Sequence, residues 1–231
     1  MKLYLETVSF DEFIEINQYI PLDGALLSAD LLIHDPAITS PAEAARKLLE
    51  AMTDEQVALV PVLQSGFRAM LSVCRDLMRI SQQIVCLLPP SPDGYMVMKA
   101  CSQQNIRTAA WNVLSTDQAL FAQRNQATLT LADLEQVSRI QRPELFLQEA
   151  AKTLPDAFSS RLTVSGLKNP AEFRMVLASG CAGAAASYEL YKELLLNQQT
   201  MQYQMQVIQE WTEKELLQDD PQTQTEPNPA G

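Results

Sequence analysis

The chain has 231 residues, 47% of them hydrophobic and 19% charged, enough to bury the core of one domain without needing a second. Its formal net charge is −11, and its basic residues are scattered, which excludes a patch able to neutralise a run of nucleic-acid phosphates. Apolar residues fall in short clusters, none near the roughly 20 needed to cross a bilayer. Glu6, Asp11 and Glu12 interrupt the continuous run that a signal peptide requires, so the expectation is a cytoplasmic protein with neither a nucleic-acid nor a membrane partner.

Short β-type runs alternate with helical runs from the first residues onward. Leu3-Tyr4-Leu5 precedes a helical stretch with Phe10, Phe13, Ile14 and Ile16 as its apolar members. Gly24 to Leu27 reads as the second strand. Ser40-Pro41-Ala42-Glu43 then supplies an N-cap, a first-turn proline and a capping-box acid, opening a helix with Ala44, Leu48, Ala51 and Met52 on one face.

Val57 to Leu63 is a buried strand despite Pro61, which cannot donate to a ladder. Phe67 to Ile80 is helical, and Ile84 to Leu88 has the continuous hydrophobicity of a strand covered on both faces. After Ser91-Pro92-Asp93-Gly94 comes a helix ending near Gln104, then a strand from Ile106 to Leu114. Ser115 is placed to cap the helix that ends near Arg124.

Ala127 to Leu131 is the next strand, followed by a helical stretch from Leu134 to Leu154 interrupted at Pro143. Arg161 to Leu167 is a strand, and Asn169-Pro170-Ala171-Glu172 repeats the cap, proline and acid device, with Gly180 as the C-terminal stop. Ala182 to Ser187 and a helix from Tyr188 to Leu196 complete about eight βα units, the number at which a parallel sheet closes into a barrel. A doubly wound open sheet shows the same alternation. The expected division is a barrel over 1–197, an extra helix over 198–218 with an apolar stripe of Met201, Met205, Ile208 and Trp211, and a disordered acidic tail over 219–231.

The four cysteines, Cys74, Cys86, Cys101 and Cys181, have no CxxC pairing, and His34 is the only histidine. A zinc site has almost nothing to draw on. The cysteines read as small buried residues in a reduced interior, and no metal or other cofactor is expected.

The opening Met1-Lys2-Leu3-Tyr4-Leu5-Glu6-Thr7 and the turn Ile20-Pro21-Leu22-Asp23-Gly24 resemble the start of the short bacterial transaldolases and fructose-6-phosphate aldolases. There the first strand reads L-Y-L-D-T or F-x-D-T, and a P-L-x-G turn leads into the second. Ile84 to Pro89 is similar to the family's I-V-V-K-V-P strand, Val164 to Pro170 to its A-A-S-F-K-T-P segment, and Leu177 to Cys181 to L-A-G-C. Gln209-Glu210-Trp211 resembles its final helix. The resemblance runs from Met1 to about Trp211 as scattered short matches. It implies a (β/α)8 TIM barrel of the class I aldolase/transaldolase type with an extra C-terminal helix, packed on a neighbouring subunit of a ring-shaped homo-oligomer.

The resemblance also implies a set of losses in this sequence. The family's chemistry needs a lysine amine aimed into the barrel mouth to form a Schiff base with a ketose or hydroxyketone phosphate, and Leu87 stands at the matching position. The second-strand T-T-N-P-S corresponds to Leu26-Leu27-Ser28-Ala29-Asp30. The first-strand aspartate matches Glu6, one methylene longer. The threonine and tyrosine that handle the catalytic water match Trp111 and Leu131, and a phosphate-contacting arginine matches Leu134. Ser165 remains beside a Gly166 that replaces the family serine.

Lys99 and Lys192 read as helix-surface residues. Lys168, in the loop past its strand, is the one candidate for a relocated Schiff base, although a nucleophilic lysine needs desolvation. The expectation is a substrate site rebuilt in apolar residues, with Glu6, Ser28, Leu87, Trp111, Leu131 and Ser165 as a vestigial pocket and no confident catalytic residue. The leading reading is a non-catalytic homologue acting as an oligomeric scaffold, partner-binding protein or ligand sensor, with a sugar phosphate or a protein as the candidate partner. Two others stand beside it: an active transaldolase or aldolase of sugar phosphate metabolism with a relocated lysine or changed chemistry, and a module that binds through its acidic tail.

Overall fold

A computed structural model describes residues 1–154, 156–157 and 161–218. The expected tail over 219–231 lies outside the described residues. Eight strands run parallel in sequence order: β1 (Lys2–Glu6), β2 (Gly24–Leu26), β3 (Val57–Pro61), β4 (Ile84–Leu88), β5 (Thr108–Val113), β6 (Leu129–Asp133), β7 (Leu162–Ser165) and β8 (Gly183–Ser187). β8 pairs with β1, Lys2 opposite Gly183 through Glu6 opposite Ser187, and closes the sheet. The architecture is a TIM barrel, which decides against the open sheet that alternation alone permits.

Helices fill the connections: α1 (Phe10–Tyr19), α2 (Ala29–His34), α3 (Pro41–Leu49), α4 (Phe67–Ile80), α5 (Pro92–Ser102), α6 (Thr116–Arg124), α7 (Leu134–Ser138), α8 (Pro143–Thr153), α9 (Pro170–Ser179) and α10 (Tyr188–Leu195). The cap signals work largely as read. Ser40 accepts from the Glu43 amide and Asn169 from the Glu172 amide, while Gly180 closes α9 in the left-handed region at φ 75°. The capping boxes are not reciprocal, however. Glu43 takes the Thr39 hydroxyl and Glu172 takes the Lys168 amide, instead of each cap's own N–H.

Several boundaries differ from the sequence reading. β3 stops at Pro61, so the proline ends the strand and its missing N–H leaves no gap in the ladder; Val62 N–H resumes by donating to the Leu87 carbonyl. α3 ends at Leu49, leaving Ala51 and Met52 in the following turn. β6 runs to Asp133, two residues beyond the expected end, and α2 is a short helix that the apolar pattern did not announce.

With side chains alternating faces along each strand, one set fills the barrel interior: Tyr4, Leu26, Leu59, Val85, Leu87, Ala109, Leu129, Leu131 and Ala185 form a continuous cluster, all buried. Fully burying one leucine of such a cluster contributes about 1.5–3 kcal/mol. The chain divides into two compact units, Met1–Lys192 and a second beginning at Glu193. The second contains α11 (Gln198–Gln218), on which every described side chain from Met201 to Glu215 is exposed, including Met201, Met205, Ile208 and Trp211. No helix among the described residues is long and apolar enough to cross a membrane.

Gly24 begins β2 where a Cβ would lie 1.9 Å from the Val57 carbonyl oxygen. That oxygen belongs to the strand paired with Gly24, so relief means opening the β2–β3 ladder. Gly24→Ala is expected to destabilise the barrel by about 2–4 kcal/mol, read as a lower urea midpoint with unchanged m-value.

Candidate functional site

At the C-terminal end of the strands the interior changes character. Glu6 follows Tyr4 on the inner face of β1 and Asp133 follows Leu131 on β6, so there an apolar layer is succeeded by a polar one, and on β7 Ser165 follows the buried Thr163. A cavity of about 280 Å³ opens there, bordered by Glu6, Ser28, Asp30, Trp111, Asn112 and Asp133, with Leu26, Ala29, Glu135, Gln136, Ser165 and Gly166 completing its wall. A second, of about 310 Å³, shares Glu6, Ser28 and Asp30 and adds Glu12, Leu31, Ser187, Tyr188 and Glu189.

Four sequence-predicted residues, Glu6, Ser28, Trp111 and Ser165, meet at the first cavity. Leu87 and Leu131 do not. Both are fully buried in the interior cluster, where they form part of the barrel's apolar filling. Trp111 joins the two levels, packing on that cluster while lining the cavity. The expectation of a site rebuilt in apolar residues is therefore corrected: the filling is apolar, but the wall of the mouth is polar and acidic.

Trp111 and Asn112 are consecutive and yet both line the cavity. Strand alternation would send one of them to the opposite face. The β5–β6 register slips between Ala110 and Val113, and Asn112 takes φ 59°, a left-handed conformation that asparagine tolerates better than most residues. This irregularity turns two neighbours toward the mouth. Asp133 escaped the sequence reading because β6 was ended too early; extending the Leu129, Leu131 alternation by one step would have found it.

Glu6 Oε1 accepts the Gly166 N–H at 3.2 Å, across 160 residues of chain. Gly166 has φ 69°, and a Cβ there would come within 2.5 Å of Asp133 Oδ1, so the close approach of backbone to carboxylates requires glycine. The Glu6 carboxyl is pushed up to about 7, chiefly by withdrawal from bulk water, with Asp133 and Asp30 adding repulsion and the Gly166 N–H opposing. Asp133 also caps α7 by accepting from the Gln136 amide.

Lys168 lies outside both cavity walls. Its amine is 3.1 Å from Glu135 Oε1 and its side chain is 56% exposed. The pairing holds the Glu135 carboxyl below its ordinary range, through the Lys168 hydrogen bond first and its charge second, with Arg139 assisting. Among the described residues, no group of three or more His, Cys, Asp or Glu side chains is arranged to hold a metal ion, and the four cysteines are free and buried.

No family model matches the chain. Similarity to curated proteins is distant but spans most of the molecule. A probable transaldolase of Petrotoga mobilis is 23% identical over 186 residues, covering 80% of this chain and 81% of that protein. A probable transaldolase of Thermus thermophilus is 27% identical over 204 residues, covering 84% and 91%. The chain is a transaldolase-like TIM barrel, distantly homologous to these proteins. Among solved structures, native KDPGal superposes with a TM-score of 0.55 at 13% identity, covering 80% of each chain. Phosphoribosyl anthranilate isomerase from Thermus thermophilus superposes at 0.54 with 15% identity, covering 81% of this chain and 87% of that one; these likenesses concern the fold alone.

A carboxyl raised in the folded state binds its proton more tightly there than in the unfolded chain. Its contribution to stability is fully present below the ordinary value of 4.5 and is lost as pH rises through about 7. Glu6→Gln removes the titration while keeping an acceptor for Gly166. Unfolding free energy of the variant relative to the parent is expected to climb by on the order of 2 kcal/mol between about pH 5 and 8. A pH-independent difference in urea titrations would place the Glu6 carboxyl at its ordinary value.

Proposed function

We propose that this protein is a non-catalytic transaldolase-like barrel that retains its mouth as a ligand-binding pocket and works in the cytoplasm as an oligomeric sensor. The observation that carries this reading is that, among the described residues, no lysine lines either cavity of a mouth that is still open. Leucine, fully buried, fills position 87, and a Schiff base needs a neutral, desolvated lysine. Lys168 meets neither condition, being largely solvated and engaged by Glu135.

The polar wall favours a ligand over a sealed scaffold. Ser28, Asp30, Asn112 and Gln136 line the first cavity, and a pocket with several convergent polar groups is the usual form of a small-molecule site. The exposed stripe on α11, with Trp211 57% exposed, supports assembly into a homo-oligomer, because a contiguous apolar face of this kind marks a contact surface. One observation favours a second reading, an enzyme using Glu6 as general acid or base: its carboxyl titrates near neutrality, where proton transfer is most effective.

Incubating the full chain with fructose 6-phosphate or dihydroxyacetone, followed by borohydride reduction and intact-mass measurement, is expected to leave no covalent adduct. A reduced adduct on any lysine would overturn the non-catalytic reading. Met205→Glu combined with Trp211→Glu is expected to convert the oligomer to a monomer in sedimentation velocity without changing the far-ultraviolet circular dichroism of the barrel.

A further inference from the structure

The next step rests on reading α11 as the contact between copies, and it concerns what that helix meets. A free helix of 21 residues is marginal in water, and α11 leaves Met201, Met205, Val207, Ile208 and Trp211 exposed. At about 100° per residue these side chains fall within roughly half of its circumference. A face that wide and that apolar calls for a cover.

The charge on α11 is confined to one end. Gln198 to Gln209 contains no Asp, Glu, Lys or Arg, whereas Glu210, Glu213, Lys214 and Glu215 follow directly, three glutamates against one lysine and so a net charge of −2. Hydrogen bonds one turn apart hold the carboxylates along the helix: Gln206 Nε2 donates to Glu210 Oε1 at 2.9 Å, Gln209 Nε2 to Glu213 Oε1 at 3.1 Å and Trp211 Nε1 to Glu215 Oε1 at 2.7 Å. Ile208, within the apolar face, is the middle residue of Gln198–Gln218.

This layout is complementary to itself in one direction only. Laid parallel, two copies of α11 would set one acidic end against the other, and like charges at neighbouring positions repel. Turned head to tail, each acidic half lies along the other copy's uncharged half, toward the positive end of its helix dipole. A twofold axis at Ile208 then overlaps the helices over their whole length, sets Met205 opposite Trp211 and Met201 opposite Glu215, and brings Ile208 against its own copy. Such a contact is isologous and closes at two chains. We infer that α11 is a dimerisation helix that pairs antiparallel with the α11 of a second copy of this chain.

The test is cross-linking of the full chain with a short bismaleimide; the native cysteines are buried, and the parent chain supplies the blank. Ile208→Cys is expected to link to itself. Met201→Cys and Glu215→Cys should each fail to do so alone, because head-to-tail pairing keeps the two copies of either residue about 21 Å apart at 1.5 Å per residue, but should link to each other when the two variants are co-expressed. Self-linking of both Met201→Cys and Glu215→Cys would mean parallel helices and overturn the inference. So would the absence of any link in chains that sedimentation velocity shows to be oligomeric, an outcome that sets the apolar face against some other surface and leaves the oligomer standing. A parent chain that sediments as a monomer would remove the oligomer and this pairing together.

Discussion

Everything at the mouth depends on the pairing of β1 with β8. That ladder turns an open sheet into a closed one and gives the inner face of every strand a common axis, so residues distant in sequence become neighbours without a dedicated contact between them. Glu6, the last residue of β1, lies opposite Ser187 on one side and Leu26 on the other. It reaches the Gly166 amide only because the barrel is shut. In an open sheet β1 and β8 would lie at opposite edges, and Glu6 would lack its partnership with Ser187.

Closure also separates two levels with different tolerances. The interior cluster around Tyr4, Leu87 and Leu131 excludes water, and close packing there leaves little freedom for a polar substitution. One inward step further along the strands, solvent enters, and a carboxylate can remain if a donor is near. Leu87, fully buried in this cluster, therefore adds to the apolar filling, while the wall above it is polar. The result is a barrel whose stability and whose binding surface are supplied by separate layers of side chains.

Much of this was legible in the sequence because it depends on local periodicity. The span of α4, the continuous apolar run of β4 and the Ser40 and Asn169 caps follow from spacing and side-chain reach alone. Leu87 and Glu6 were placed by resemblance, and both sit where an interior register puts them. What escaped depends on backbone irregularity. The slip at Asn112, which turns consecutive residues the same way, has no periodic signature, and α2 is too short to show one. Asp133 was hidden by a boundary error of two residues, enough to move a wall residue into a loop. The acidic character of the mouth was invisible for a related reason: Glu6, Asp30, Asp133 and Glu189 are scattered along the chain, and only the closed topology gathers them.

The occupied amides after β7 bear on how the mouth is held. Glu6 and Glu172 act as internal counter-ligands, each accepting a backbone N–H at or just beyond the end of β7. A loop tied to a carboxylate on β1 and to another at the start of its own following helix takes its position from the strand that closes the barrel, 160 residues away in sequence.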